Sequence, residues 1–272
     1  MKKFIFIVFI FILTSIMMLS SCSDNSSNTK TKEKSAEKKE AVEKVDINQI
    51  KTAITDNKLM QQDSYSLKCN TLWKDAEQNE TNNNIEISRD KKNNIISFKN
   101  FIDNEADSEV EIIRQDQKTW IKMMGEWYET ESTEEIITQV DELSDIYSQI
   151  ASGLYENYEY IGAEDVNGVN CNKFSIDGTY NIKLPTIDNG IDTEELKDIK
   201  LKGNIYISTD DNLKDVIMKV VYKCEGKMIN PYDMNSDEAK DNIFEVNVEV
   251  SSINEEIKIE IPENAEKMDM GF

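Results

Sequence analysis

Apolar and polar residues alternate along several short stretches of this chain, and this alternation limits the fold more than any other feature. Within 64–74, five residues alternate with polar ones: Tyr65, Leu67, Cys69, Thr71 and Trp73. Successive side chains of a β-strand point to opposite faces of a sheet, so a period of two indicates a half-buried strand. The stretch 243–252 shows the same period. The chain is therefore expected to contain a sheet with one buried face.

Turns that contain asparagine or glycine separate further short apolar stretches. Asn167-Gly168 is the clearest, because Asn-Gly accepts the positive φ angles of a type I′ turn. We predict three hairpins: 118–123 with 126–130 around Met124-Gly125, 158–165 with 169–176 around Asn167-Gly168, and 200–208 with 214–224. We also predict strands at 85–89, 95–102 and 109–115, between asparagine-containing turns at 82–84, 92–94 and 103–104. Consecutive strands with short turns indicate antiparallel meanders.

Two stretches show a helical period instead. Residues 45–60 place isoleucines near helical spacing behind Asp46, a plausible N-cap. Residues 132–150 carry an apolar stripe at helical spacing, and Gly153 is a suitable residue to end that helix. Residues 185–197 are predicted as a loop with room for one helical turn. A helix followed by a meander thus occurs twice, which predicts an α+β domain.

The N-terminus has the layout of a secretory signal. Met1-Lys2-Lys3 is positively charged, and residues 4–19 are mostly apolar. The apolar run approaches the length of a membrane span, so an uncleaved helix is the alternative. Leu19-Ser20-Ser21-Cys22 resembles the lipobox of bacterial lipoproteins, in which small residues precede a cysteine. That resemblance implies a diacylglycerol on the Cys22 thiol and cleavage just before it, and two acyl chains anchor a protein stably.

The sequence therefore divides into three parts. Residues 1–21 are the predicted signal peptide, and residues 22–45 are the lipid anchor and a flexible polar linker with too few apolar residues to fold alone. Residues 46–272 are the predicted folded domain, which is long enough for one substantial core. The protein is expected at the outer face of the cell membrane, held there by the lipid on Cys22.

Composition argues against several functions. The net charge of −22 does not suit a nucleic-acid partner, because phosphates demand a basic surface. The chain has no histidine, which removes the commonest general base and the usual zinc ligand. Adjacent acidic pairs such as Glu134-Glu135 indicate solvated charge and not a glycosidase pair held across a cleft. Asp210-Asp211-Asn212 is interpreted as a hairpin turn rather than a calcium site. We predict no enzymatic activity, no cofactor and no metal.

Three cysteines remain besides Cys22, namely Cys69, Cys171 and Cys224. An odd number permits at most one disulfide, and nothing in the sequence sets the distance between any two of them. The composition is rich in Asn, Lys and Ile, which fits an anaerobe with little oxidising power. We therefore favour free, partly buried thiols over a disulfide.

Two of the predicted hairpins resemble a known family. They run from Trp120 to Tyr128 and from Ile161 to Phe174, and together with the lipobox and the order of elements they are similar to LolA-like lipoprotein carriers. That superfamily includes the mycobacterial cell-wall lipoproteins that carry lipid. The resemblance covers about residues 46–260. It implies a curved antiparallel β-sheet, a half-barrel, that wraps around helices and can hold acyl chains on its concave side. It implies no catalytic residues.

The predicted function is non-enzymatic binding or carriage of a hydrophobic or amphiphilic, lipid-like ligand. The candidate ligand-binding residues are Trp120, Met123 and Trp127, although aromatic pairs across a hairpin more often pack against each other. The alternative is an envelope interaction or sensing module whose own helices fill the core, with a protein partner that the sequence does not identify. Carriage predicts an unfilled apolar cavity larger than about 300 Å³, and the module predicts a filled core.

Overall fold

A computed structural model of the protein describes residues 48–103, 108–131, 158–183, 195–228 and 240–268. The predicted signal peptide, the linker with Cys22 and the helix predicted at 132–150 lie outside these residues. The strands, turns and faces described below belong to the five ranges above.

The described chain begins with a short helix. α1 spans Asn48–Asp56, and a 3₁₀ turn follows at Lys58–Gln61. Asn57 lies between them in the left-handed region at φ 40°, which ends the helix. Ile50 of α1 is buried in the main core. The helix agrees with the first one predicted from the sequence, but it is shorter.

Twelve strands follow α1 along the chain. Their bounds are β1 Ser64–Lys74, β2 Glu80–Asp90, β3 Ile95–Ile102, β4 Val110–Gln115, β5 Lys118–Met123, β6 Glu126–Glu131, β7 Tyr158–Val166, β8 Val169–Lys183, β9 Glu195–Ser208, β10 Ile217–Met228, β11 Lys240–Ser251 and β12 Glu266–Lys267.

The twelve strands form one open sheet. Their order across the sheet is β12-β6-β5-β4-β3-β2-β1-β11-β10-β9-β8-β7. β1 to β6 form one antiparallel meander and β7 to β11 form a second. β1 pairs antiparallel with β11 where the meanders meet, and β12 pairs parallel with β6 at one edge. The predicted meanders are therefore present, and they share one continuous sheet.

The register divides the sheet into an apolar face and a polar face. On β1 the buried side carries Leu67, Cys69 and Trp73, and the other side carries Lys68 and Asn70. The neighbouring strands repeat this alternation in register. We call the buried side the apolar face and the other side the polar face. The period of two in the sequence correctly predicted both.

The predicted fold class, an α+β half-barrel that wraps around helices, is wrong for the described residues. Nearly all of these residues belong to the open sheet, and their helical part is α1 with the following 3₁₀ turn. Gln49 of α1 donates to Asp215 Oδ1 at 3.0 Å and accepts from Asn172 Nδ2 at 2.9 Å, so α1 lies beside the β9–β10 turn. The described residues therefore contain no helix around which the sheet could wrap. The strands are also longer than the alternation indicated, since β8 reaches Lys183.

The predicted turns are partly correct. Asn167 and Gly168 have φ angles of 54° and 82°, and Met124 and Gly125 have 52° and 83°, so both hairpins turn through two positive φ angles. The turn predicted at 82–84 is wrong, because these asparagines lie within β2. The β1–β2 turn comes earlier and is organised by the Asp75 side chain, which accepts from the backbone N–H groups of residues 77 and 79 at 2.8 Å each. The predicted loop at 185–197 is also partly wrong, because β9 already begins at residue 195.

Candidate functional site

The apolar face of the sheet is the candidate site. One cluster of buried apolar side chains crosses this face from β5 to β8. Its members include Ile121 on β5, Ile87 on β2, Val248 on β11 and Phe174 on β8, each at most 3 % exposed. A continuous apolar surface of this width suits an acyl chain or another hydrophobic group.

One end of the apolar face carries two arginines. Arg89 on β2 and Arg114 on β4 are the only arginines of the chain, and both are in phase with the buried residues of their strands. The register aligns them in one row, because Ile96 pairs with Arg89 on one side and with Arg114 on the other. Tyr65 and Thr119 extend the row at its two ends. Nη1 of Arg89 is buried and has no hydrogen-bond partner.

The opposite end of the apolar face carries uncharged polar atoms. Three of these are buried without a hydrogen-bond partner: Trp73 Nε1, Asn83 Oδ1 and Asn242 Oδ1. Buried polar atoms normally have partners, and each one without a partner costs about 1–3 kcal/mol. Tyr65 and Trp73 are eight residues apart on β1, so the two ends are separated by about 27 Å. Both ends thus offer polar atoms to a ligand that lies between them.

The polar face contains an open groove with a volume of about 510 Å³. It crosses the middle of the sheet, and its walls are mostly amide and charged residues, such as Asn70, Asn84, Asn247 and Lys223. Asn70 Nδ2 donates to Asn84 Oδ1 at 2.5 Å, and Asn84 Nδ2 donates to Asp103 Oδ1 at 2.8 Å. The groove lies on the polar face, so it is not the apolar cavity that lipid carriage predicts.

The three predicted ligand-binding residues do not lie together. Trp120 and Trp127 are on the polar face, where they pack with Ile259 of the C-terminal segment in a second, small cluster. Trp120 is 5 % exposed, and its Nε1 donates to Glu129 Oε2 at 3.2 Å. Met123 instead packs against the main cluster of the apolar face. The structure therefore brings the two tryptophans together and separates them from Met123.

The three cysteines outside the signal region are buried and form no disulfide. Burial raises the pKa of the Cys69 thiol to about 12. Burial, followed by the negative charges of Asp165 and Glu164, raises the pKa of the Cys171 thiol to about 12. Only the thiolate is an effective nucleophile, so these two thiols are poorly suited to covalent catalysis near neutral pH. Cys22, the predicted lipidation site, lies outside the described residues.

The acidic turn at 210–212 has an ordinary structural explanation. Asp210 Oδ1 accepts from the Asn212 backbone N–H at 2.9 Å, which is an Asx turn. Within the five described ranges, no group of three Cys, Asp or Glu side chains is placed to hold a metal ion. No helix in those same ranges is both long enough and apolar enough to cross a membrane.

The sequence interpretation did not single out Arg89 or Arg114. The signal was available, because each arginine continues the period of two set by the isoleucines before it, Ile87 and Ile112. A charged residue in phase with buried ones is informative in a strand, because charges are rarely buried without a partner.

Comparison with known proteins finds no matching family model and no matching curated protein. Among solved structures, the chain is similar to the lipoprotein LppX of Mycobacterium tuberculosis, with 14 % identity, 79 % of this chain and 97 % of that chain covered, and a TM-score of 0.40. LprF from Mycobacterium bovis matches with 12 % identity, coverages of 78 % and 96 %, and a TM-score of 0.38. A LolA superfamily protein from Nitrosomonas europaea matches with 10 % identity, coverages of 77 % and 94 %, and a TM-score of 0.26.

The matches include the superfamily that the two hairpins resemble. At these identities the likeness to the three structures concerns the fold alone.

Proposed function

We propose that this protein is a lipoprotein, anchored through Cys22 at the outer face of the cell membrane, that binds an amphiphilic, lipid-like ligand without catalysing a reaction. The proposed ligand lies on the apolar face of the sheet. The anchor rests on the lipobox-like sequence at 19–22. The ligand rests on the chemistry of the apolar face.

The observation that carries the proposal is the set of buried polar atoms without partners at the two ends of the apolar face. Arg89 Nη1 lies at one end, and Trp73 Nε1, Asn83 Oδ1 and Asn242 Oδ1 lie at the other. A core that the chain fills by itself normally satisfies its buried polar atoms. An apolar surface with polar atoms at both ends is instead complementary to an amphiphile.

The chemistry of the chain supports binding rather than catalysis. There is no histidine to act as a general base, and the thiols of Cys69 and Cys171 have pKa values raised to about 12. Burial also withdraws both thiols from solvent and substrate. The residues of the apolar face therefore provide contact and orientation, which is what a binding protein requires.

One observation favours the alternative, an envelope interaction or sensing module with a filled core. The central side chains of the apolar face, such as Leu67 and Val248, are 0 % exposed in the chain without any ligand. A ligand on this face must therefore displace atoms that already pack against these side chains. Binding thus requires a movement of the protein, and the module does not.

Native mass spectrometry distinguishes the two functions. The sample is the mature chain, residues 22–272, carrying Cys22→Ser so that it needs no detergent, purified from a Gram-positive host. We expect a bound mass that organic solvent releases as lipid. As a control, the protein stripped by solvent and refolded is expected to regain this mass from a membrane lipid extract. A bare protein mass before and after incubation with the extract would exclude carriage and favour the module.

A further inference from the structure

In β1 to β6 the lysines and the two arginines lie on different faces of the sheet. In β1 to β6, the lysines in ion pairs lie on the polar face, as Lys68 does with Glu86 at 2.9 Å and Lys122 does with Glu109 at 2.6 Å. Apart from Glu126 at a hairpin turn, Arg89 and Arg114 are the charged residues that these six strands place on the apolar face. In these strands the lysines therefore lie on the polar face and the arginines on the apolar face.

Arginine is the basic side chain suited to binding an anion away from water. Its planar guanidinium presents donors in a fixed fork that matches phosphate and carboxylate, and it is more weakly hydrated than an ammonium. Arg89 is partly buried and flanked by the buried side chains of Tyr65 and Ile96. A guanidinium N–H without a partner at this position is destabilising unless an acceptor binds it.

The row that contains the arginines holds no acidic residue in the described strands. Its other members are Tyr65, Ile96, Thr119 and Thr130, which are uncharged. Adjacent strands are about 4.8 Å apart, so the Cα atoms of Arg89 and Arg114 are separated by about 10 Å. Both side chains are long enough to add their positive potential at one point between the two strands.

Lys91, which lies next to this row, is affected by the charge of Arg89. The pKa of the Lys91 ammonium lies below its usual range, first because of desolvation and second because of the positive charge of Arg89, while Asp63 acts in the opposite direction. The positive charge of Arg89 thus acts on a neighbouring side chain at this end of a protein whose net charge is −22.

We propose that Arg89 binds the anionic head group, a phosphate or a carboxylate, of an amphiphile whose apolar chain lies along the apolar face towards Trp73. Arg114 strengthens the attraction from two strands away. This inference rests on the proposed function and specifies the class of ligand. The separation of about 27 Å between the two ends of the face accommodates an acyl chain laid along the strands.

The test compares three probes by isothermal titration calorimetry on the mature chain with Cys22→Ser. Dodecyl phosphate carries the anion and the chain, dodecyl dimethylamine oxide carries the same chain with no net charge, and inorganic phosphate carries the anion alone. Both dodecyl probes are kept below their micelle concentrations. The variants are Arg89→Met, which removes the charge, Arg89→Lys, which keeps the charge and removes the fork, and Lys68→Met as a control on the polar face.

The proposal predicts that the protein binds dodecyl phosphate at least about tenfold more tightly than the amine oxide. Arg89→Met is expected to weaken dodecyl phosphate binding about 10- to 100-fold and to leave amine oxide binding unchanged. Arg89→Lys is expected to weaken dodecyl phosphate binding severalfold. If circular dichroism shows that Arg89→Met does not fold, the result for Arg89→Lys tests the proposal instead. Lys68→Met is expected to bind like the unsubstituted protein.

Three outcomes overturn the proposal in distinguishable ways. Equal binding of both dodecyl probes, unchanged by the Arg89 substitutions, would reject the anion site and leave lipid binding intact. Inorganic phosphate bound as tightly as dodecyl phosphate would show a site for free anions and not for an amphiphile. Failure of both dodecyl probes to bind would reject the proposed function and this inference with it.

Discussion

Gly203 is the position where the structure makes the sharpest prediction about stability. Gly203 lies on β9 and pairs with Tyr222 on β10 and with Ile176 on β8. A Cβ at this position would contact the backbone O of Val221, and it would come within 2.6 Å of Tyr222 Cβ and 2.9 Å of Tyr222 Cα. Two of these three atoms belong to the backbone, so no side-chain rotation can relieve the contact.

Gly203→Ala therefore has to separate β9 from β10. Overpacking a core costs about 1–3 kcal/mol, and each weakened ladder hydrogen bond adds about 1 kcal/mol. We expect the free energy of unfolding to fall by about 3 kcal/mol. For a domain of this size that corresponds to a decrease in Tm of about 6–12 °C.

Urea and thermal unfolding of the mature chain with Cys22→Ser, followed by circular dichroism, measure this change. Lys202→Ala is the matched control, because Lys202 neighbours Gly203 but is largely exposed, and its ion pair with Asp177 at 3.2 Å is exposed as well. An exposed ion pair contributes less than about 1 kcal/mol. If Gly203→Ala were as stable as Lys202→Ala, the close approach of β9 and β10 described above would be incorrect.

Three further predictions concern the anchor, a turn and the thiols. Cys22→Ser in the full chain is expected to abolish incorporation of labelled palmitate into the protein, because Cys22 is the predicted attachment point of the lipid; incorporation that persists in the variant would contradict the anchor. Gly168→Ala is expected to lower the free energy of unfolding by about 1 kcal/mol in urea titrations, because Gly168 has a φ of 82°, which residues with a side chain rarely adopt. An unchanged urea midpoint would contradict the type I′ turn. Cys69 and Cys171 are expected to resist iodoacetamide at pH 8 in the folded protein and to react fully in guanidinium chloride. The reason is that both thiols stay protonated up to their raised pKa of about 12 in the folded protein. Rapid labelling of the folded protein, measured by mass, would show that the thiols are not buried.

Much of the strand arrangement could be predicted from the sequence, because local chemistry specifies it. Asn167-Gly168 and Met124-Gly125 turn through positive φ angles, and the period of two on β1 assigns each residue to its face. These signals act over a few residues, so they do not depend on how distant parts of the chain meet. The pairing of β1 with β11, which joins the two meanders, has no such local signal.

The prediction failed where a partner on another strand overrides local preference. Asparagine is uncommon in strands, and the run at 82–84 therefore looked like a turn. In the sheet, Asn84 accepts a hydrogen bond from Asn70 on β1 and donates one to Asp103 at 2.8 Å, so its amide is satisfied within the sheet. The fold class failed because nearly all of the described residues lie in the sheet, and the helix predicted at 45–60 spans nine residues.

The candidate site could be predicted only in part. The apolar face follows from the alternation, but the ligand-binding residues predicted from the 120–128 hairpin divide between the two faces. Trp120 and Trp127 are on the polar face, and Met123 packs against the main cluster of the apolar face. A hairpin presents successive residues to opposite faces, so neighbours in sequence cannot all line one site. Arg89 and Arg114 required the register, because Ile96 on a third strand aligns them.

The central claim is that an amphiphile occupies the apolar face, and the three tryptophans allow a direct test. Trp73 lies on the apolar face, whereas Trp120 and Trp127 lie on the polar face. Fluorescence quenching by 18-bromostearate, whose bromine is at the end of the chain, should be measured on two variants of the mature chain, one that keeps only Trp73 and one that keeps only Trp120, with phenylalanine at the other positions. Because bromine quenches at short range, the account predicts strong, saturable quenching of Trp73 and little quenching of Trp120. Equal quenching of both tryptophans, or of neither, would contradict binding on the apolar face.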